Sequence, residues 1–216
     1  MGVIVHPVVP SVEPDIVTDR VRATWTAGDF GQIAVGYSRG ADAFVERLGL
    51  VRGESVLDVA CGTGNLSLPA ARRGASVTGL DIAANLLVSA RASAEREALA
   101  IRFDEGDAQA LPFGDAAFRT VMSMFGVMFA PRPEPAMREL FRVAAPGGRI
   151  ALASWTKEGF VGAMLRAHVE RVPPPAGVPS VLQWGDEMTT RERLTPFTSR
   201  IRTVTMTRRM MTFRFP

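Results

Sequence analysis

The chain has 216 residues, 47% of them apolar, which is enough to bury one sizeable core and makes a single α/β domain the default. Charges nearly balance, at 25 Lys+Arg against 22 Asp+Glu, and Lys157 is the only lysine; no compact basic run precedes position 190, so nucleic acid is not the expected partner. No apolar run approaches the roughly 20 residues that span a bilayer, and the single Cys61, unable to form an internal disulfide, fits a reducing, cytoplasmic setting.

The amino-terminal stretch MGVIVHPVVP has an apolar run broken by prolines and lacks a basic leader, so it does not read as a signal peptide. His6 also breaks the myristoylation pattern. Residues 1–20 are rich in Pro and Val and predict an irregular arm. Trp25–Tyr37 (WTAGDFGQIAVGY) is an aromatic, glycine-punctuated lead-in, suited to a movable cover. Ala41, Phe44, Val45 and Leu48 have helical spacing, which predicts a helix over Arg39–Leu48. Strands and helices then alternate. SVLDVA is a strand, Asn65–Arg73 a helix bent slightly by Pro69 and ended by Gly74, and Ser76–Asp81 a second strand. Ala84–Ala98 is a helix, with strands at Ile101–Asp107 and Phe118–Val127. Glu134–Ala144 is a helix, Pro146-Gly147-Gly148 a turn and Arg149–Thr156 a fifth strand. This order predicts a doubly wound, mostly parallel α/β sheet flanked by helices. The expected division is 1–36 as arm and lid, 37–156 as cofactor-binding core, and 157–216 as a substrate-side segment of the same domain.

In open α/β sheets, ligands bind beyond the carboxyl ends of the strands, where the strand order switches. Strand one ends in Cys61-Gly62-Thr63-Gly64-Asn65, strand two in Asp81, strand three in Gly106-Asp107-Ala108 and strand four near Met124-Phe125-Gly126. Glycines let the backbone turn and approach a ligand, and an acid about 20 residues on can accept bonds from ribose hydroxyls. A dinucleotide shares these features. However, Ser67 stands where its pattern wants a third glycine, and Asp58 would place negative charge beside a pyrophosphate. A cationic ligand removes that conflict: Asp58 can pair with an ammonium, directly or through water, or brace the glycine turn by accepting its N–H groups.

VLDVACGTGN, VTGLDIA, GDAQALPF and PGGRIALASW, in this order and spacing, resemble the class I S-adenosylmethionine-dependent methyltransferases, and within them the subgroup of quinone-ring and small-molecule methylases. The resemblance runs from about Trp25 to Trp155. It implies a Rossmann-like fold, S-adenosylmethionine as cofactor and a small, apolar or aromatic acceptor. It implies that Asp58, Ala60, Gly62, Thr63 and Gly64 hold the methionine end, that Asp81 binds the ribose hydroxyls and that Ile82 packs on adenine. Asp107 would take the adenine amino group, Ala108 N–H a ring nitrogen, and Met124 would line the methionine portion.

The chain departs from the pattern twice. Arg119 follows Phe118 where an acid is common, which predicts a changed surface. The fold usually ends in two antiparallel edge strands, whereas only Arg202–Arg214 can supply a sixth here. A missing seventh strand leaves two expectations, a homodimer through that edge or a frayed tail after about Ile201. Two alternative functions stand beside methyl transfer: an NAD(P)-dependent oxidoreductase, and a truncated, non-catalytic cofactor-binding relative. His168 is the one candidate general base, with a lone surface histidine the plainer reading. The two histidines and single cysteine are too scattered for a metal site. Trp25, Phe30, Tyr37, Trp155 and Trp184 can form an aromatic lid or pack the core, and the acceptor pocket is expected from the lead-in and Lys157–Glu187.

Overall fold

Five strands, β1 (Ser55–Val59), β2 (Ser76–Asp81), β3 (Ile101–Glu105), β4 (Phe118–Met124) and β5 (Ala144–Ala153), form one sheet in the computed structural model, which describes residues 16–28, 30–175 and 177–211. Their order is β3-β2-β1-β4-β5 and every pairing is parallel. The order reverses between β1 and β4, which fixes the switch point at the centre of the sheet.

Helices cover both faces, which is why β1 and β4 read as nearly continuous apolar runs. On one face α3 (Ser38–Leu48), α4 (Ser67–Arg72) and α5 (Ala84–Arg96) pack on Val56, Val77, Met122 and Phe103. On the other, α6 (Pro133–Val143) lays Ala136, Met137 and Leu140 on Leu57, Val59 and Val121. Each fully buried Leu or Val contributes about 1.5–3 kcal/mol. Pro69 lies in the first turn of α4, where its missing N–H has no helical partner to lose.

Three stretches differ from the sequence reading. Residues 16–20 belong to helix α1 (Ile16–Ala27), followed by α2 (Phe30–Val35), while residues 1–15 lie outside the described part. The Pro146–Gly148 turn is absorbed into β5: Ala144 pairs with Phe118 and Arg149 with Thr120, so the extra residues form a bulge opposite Arg119. Residues 202–211 form no strand, and 212–214 lie outside the described residues. The expected strand has Thr203, Thr205 and Thr207 on one face and Val204 and Met206 interrupted by Arg202 and Arg208 on the other, so neither face is continuously apolar. The segment instead brings Met211 against Gly40 of α3. Among the described residues, β5 is one edge of the sheet and β3 the other.

The foot of the sheet is held by Glu54, whose carboxylate accepts bonds from Thr120 Oγ1 at 2.6 Å, Arg149 Nη2 at 2.7 Å and Val51 N–H at 3.1 Å. Arg149 also donates to the Leu48 carbonyl that ends α3. Burial pushes the Glu54 carboxyl up, but the bonds from Thr120 and Arg149, the Val51 N–H and the Arg149 charge outweigh it and hold the group at about 2. A carboxyl depressed on folding stabilises the protein above its unfolded value near 4.5, and that contribution is lost as pH falls toward 2. Glu54→Gln is therefore expected to lower stability by about 2 kcal/mol near neutral pH and to change it little near pH 2, read by urea denaturation at both values.

The remaining chain forms α7 (Gly159–Arg171), α8 (Glu187–Leu194) and short turns, with Trp184, Leu194, Phe197 and Ile201 packed on the α6 side. No helix among the described residues is long and apolar enough to cross a membrane.

Candidate active site

Alternation along β1 sends Val56 toward α3 and α4 and Leu57 and Val59 toward α6, so Asp58 points to the amino end of α4. There its Oδ2 accepts the Ser67 hydroxyl at 2.6 Å, and Ser67 N–H adds a second bond. Asp58 is 1% exposed. Burial pushes its carboxyl up to about 7; the Ser67 hydroxyl pulls it down and the neighbouring Asp81 charge pushes it up again.

The bracing of the glycine turn, expected of Asp58, is made by Asp81. Its Oδ2 accepts Gly62 N–H at 2.7 Å and its Oδ1 accepts Ala83 N–H at 2.9 Å. The register explains this: Val59 pairs with Leu80, so the next residue of β2 lies beneath the turn that leaves β1. Burial raises the Asp81 carboxyl, and the N–H groups of Ala83, Gly62 and Ile82 oppose the rise.

The ends of β1 and β4 meet backbone to backbone. Ala60 (φ 55°) and Phe125 (φ 59°) both lie in the left-handed region, which costs a non-glycine residue on the order of 1 kcal/mol each. A Cβ on Gly126 would fall 2.5 Å from Ala60 Cβ and 2.6 Å from its carbonyl oxygen, so only glycine fits. Ser123 ties the junction by donating to Val59 O at 2.6 Å and accepting Val127 N–H at 3.1 Å.

Beyond these ends opens a cleft of about 970 Å³, its solvent-filled mouth included. Asp58, Ala60, Gly62, Thr63, Asp81, Ile82, Asp107, Ala108 and Met124 line it. Gly64 does not; it packs toward Leu68, Phe103 and Ala90, where its positive φ of 88° makes the turn into α4. Asp107 accepts Gln109 N–H at 2.9 Å and the Gln109 side-chain amide at 2.9 Å. A further wall comes partly from the lead-in, with Trp25, Phe30 and Tyr37, and partly from Thr18 and Val21 of α1 ahead of it. Trp25 sits between Phe30, at 4.4 Å between centroids, and Phe129, at 4.8 Å. Tyr37 meets Phe125 edge-on at 5.6 Å, and Phe125 stacks flat on Trp155 at 3.6 Å. Burial raises the Tyr37 phenol, against a hydrogen bond with Asn65.

Other candidates lie elsewhere. His168 is exposed on α7 and does not line the cleft. No described residue of Lys157–Glu187 lines it either; Val181 and Trp184 of that segment pack on the α6 side, with Trp184 a core residue under the Arg193 guanidinium. Arg119 lies at the opposite end of β4, its N–H on Ser55 Oγ. Among the described residues no three His, Cys, Asp or Glu side chains gather as metal ligands. Asn65 and Phe125, which the sequence places at strand ends, line the cleft; sequence reasoning missed Phe129, Thr18 and Gln109 there.

The lining suits S-adenosylmethionine. A buried carboxylate held by the glycine turn has lone pairs left for vicinal hydroxyls, Asp58 offers charge to an ammonium, and aromatic walls suit adenine and a flat acceptor. Comparison with known proteins points the same way. Residues 56–148 match the family model described as a methyltransferase domain. The chain is 42% identical over 180 residues to an uncharacterized protein of Mycobacterium tuberculosis, spanning 82% of this chain and 66% of that one. It is 43% identical over 126 residues to a demethylmenaquinone methyltransferase of Thermus thermophilus, spanning 56% of this chain and 57% of the enzyme. The structure of the YcgJ protein of Bacillus subtilis shares the fold, with a TM-score of 0.57 at 23% identity over 72% of this chain and 68% of that one. The chain spans less than two thirds of the length of these curated relatives. Motif order, sheet topology and these matches agree: residues 56–148 are a methyltransferase domain, set in a Rossmann-like sheet of the S-adenosylmethionine-dependent type.

Proposed function

We propose that the protein transfers the methyl group of S-adenosylmethionine to a small, uncharged, apolar or aromatic acceptor. The observation that carries this reading is the make-up of the cleft. Asp58, Asp81 and Asp107 face it with no Lys, Arg or His among its described lining residues, and the opposite wall is Trp25, Phe30, Tyr37, Phe125 and Phe129. A pyrophosphate or phosphate would find no cationic side chain among those residues, which speaks against a dinucleotide and against an anionic acceptor, whereas the one carboxylate of S-adenosylmethionine is offset by that molecule's own ammonium and sulfonium.

When bound, the cofactor supplies an already activated methyl group. The protein's part is to hold and orient. Asp81 takes the ribose hydroxyls while keeping the Gly62 turn, Asp58 and the turn hold the methionine end, and Asp107 with Ala108 N–H holds the adenine edge. The aromatic cover excludes water and stacks the acceptor, so positioning and desolvation supply the acceleration. Tyr37 keeps its proton at neutral pH because burial raises its phenol. Tyr37 is therefore not the base for an acceptor at that pH.

A labelled-methyl transfer screen tests the function. Neutral aromatic and quinol acceptors, demethylmenaquinone first because it is the substrate named for the Thermus relative, are expected to accept label, and carboxylated analogues are not. Preferred transfer to the anionic compounds would overturn the acceptor class. Asp81→Ala is expected to weaken binding of S-adenosylhomocysteine, the demethylated cofactor, by about 2 kcal/mol in calorimetry, the scale of lost charge-assisted hydrogen bonds. Unchanged affinity in a folded variant would refute the ribose assignment.

A further inference from the structure

We propose that Gln109 is a positioning residue that couples cofactor occupancy to the seating of α1 over the cleft; the proposal rests on the cofactor reading above. The side-chain amide of Gln109 has its hydrogen-bonding capacity filled from three directions. Its Nε2 donates to Asp107 Oδ2 at 2.9 Å and to Thr18 Oγ1 at 3.1 Å. Its Oε1 accepts Arg132 N–H at 3.1 Å. Asp107 belongs to the loop after β3, Thr18 to α1 and Arg132 to the turn that starts α6. One planar group thus joins the adenine-side acid, the cover helix and the far wall of the cleft.

The chemistry is selective for glutamine. Two N–H groups meet two oxygen acceptors and one carbonyl meets one N–H, so a flipped amide would set oxygen against a carboxylate. Glutamate would place a second negative charge beside Asp107. Thr18 is 7% exposed, so its bond to Gln109 is shielded from competing water.

A second tether repeats the arrangement. Asn85, in the first turn of α5 and four residues after Asp81, donates to the carbonyls of Thr26, at 3.3 Å, and Gly28, at 3.4 Å, at the other end of α1. Each acid assigned to adenosine is therefore followed, within one turn of chain, by an amide that holds the cover. Trp25 between Phe30 and Phe129 supplies the apolar closure between these two ties. A ligand that fixes Asp107 fixes Gln109 and hence Thr18. By linkage, whatever seats α1 strengthens the hold on that ligand equally.

The test is hydrogen exchange over Ile16–Ala27, with and without S-adenosylhomocysteine, alongside calorimetry. In the wild-type protein the ligand is expected to slow exchange of α1 about tenfold. Thr18→Val removes the acceptor without touching Asp107, and Thr18→Ser restores it. Thr18→Val and Gln109→Ala are expected to bind the ligand with affinity reduced about threefold to tenfold, and to slow α1 by less than about twofold. Thr18→Ser is expected to respond as wild type does. A wild-type exchange response in both Thr18→Val and Gln109→Ala, with ligand demonstrably bound, would overturn the coupling alone. Absence of any ligand binding by the wild-type protein would overturn the cofactor reading, and the coupling with it.

Discussion

Replacing Gly126 by alanine is expected to cost about 3 kcal/mol of stability and to weaken S-adenosylhomocysteine binding about tenfold or more. The backbone at this position has ordinary angles (φ −103°, ψ −65°), so left-handed strain is not the issue. The obstacle is contact. The added methyl would sit 2.5 Å from Ala60 Cβ and 2.6 Å from the Ala60 carbonyl. Ala60 cannot retreat, because it is the left-handed residue from which the glycine turn departs and the turn is held by Asp81. Relief must come from separating the ends of β1 and β4, which also breaks the Ser123 bond to Val59 O. That separation widens the cleft where the methionine portion is assigned. Urea denaturation and calorimetry on one preparation check both figures. Equal stability with wild-type affinity would show that the two strand ends are more compliant than their packing indicates.

The second large effect is on pH. Asp58 ionises near 7 in the folded protein, against about 3.8 for a free aspartate. A carboxyl that binds its proton more tightly when folded makes the protein most stable below the unfolded value. Stability from this group falls as pH rises from about 4 to about 7 and is level above, a cost of about 4 kcal/mol for a fully buried site. Asp58→Asn removes the cost, so the variant is expected to be more stable than wild type near pH 8 by about 2 kcal/mol or more, and to lose that advantage near pH 4. Cofactor binding should move the other way. An ammonium favours the ionised carboxylate, so wild-type affinity is expected to rise as pH passes through about 7, while the asparagine variant binds more weakly with a flat profile. Thermal unfolding and calorimetry across this range decide it. A wild-type binding profile that is flat between pH 6 and 8, about the window of this ionisation, would separate Asp58 from the cofactor's charge.

Much of this organisation is legible from local pattern. Mostly apolar runs of strand length, alternating with helices, mark the parallel sheet, and the glycines and acids just past β1, β2 and β3 mark its cleft. The role of Asp58 was harder to read. Its type signals a site, but whether it or Asp81 braces the glycine turn depends on the pairing of β1 with β2, a long-range fact. Phe125 gave no sign of its left-handed backbone, since nothing local requires it; the closeness of Ala60 does. Gln109 carries no local signal of its role, because its partners Thr18 and Arg132 are 91 and 23 residues away. The expected sixth strand failed for the opposite reason. Its β-favouring threonines were visible, but a strand needs a face to bury, and Arg202–Thr207 offers none.

The register of β1 also bears on how the protein folds. Its pairing with β2 joins Val56 to Val77, close in sequence, whereas its pairing with β4 joins Val56 to Thr120. During synthesis β1, β2 and β3 can associate as they leave the ribosome, but the glycine turn has no opposing wall until β4 arrives and Gly126 docks on Ala60. Closing that long loop is a late, slow event, as expected where distant contacts dominate. A cofactor that recognises the finished junction has nothing to bind on the way there. It is expected to leave the refolding rate unchanged and to slow unfolding, so its protection will be seen as a longer lifetime of the native state.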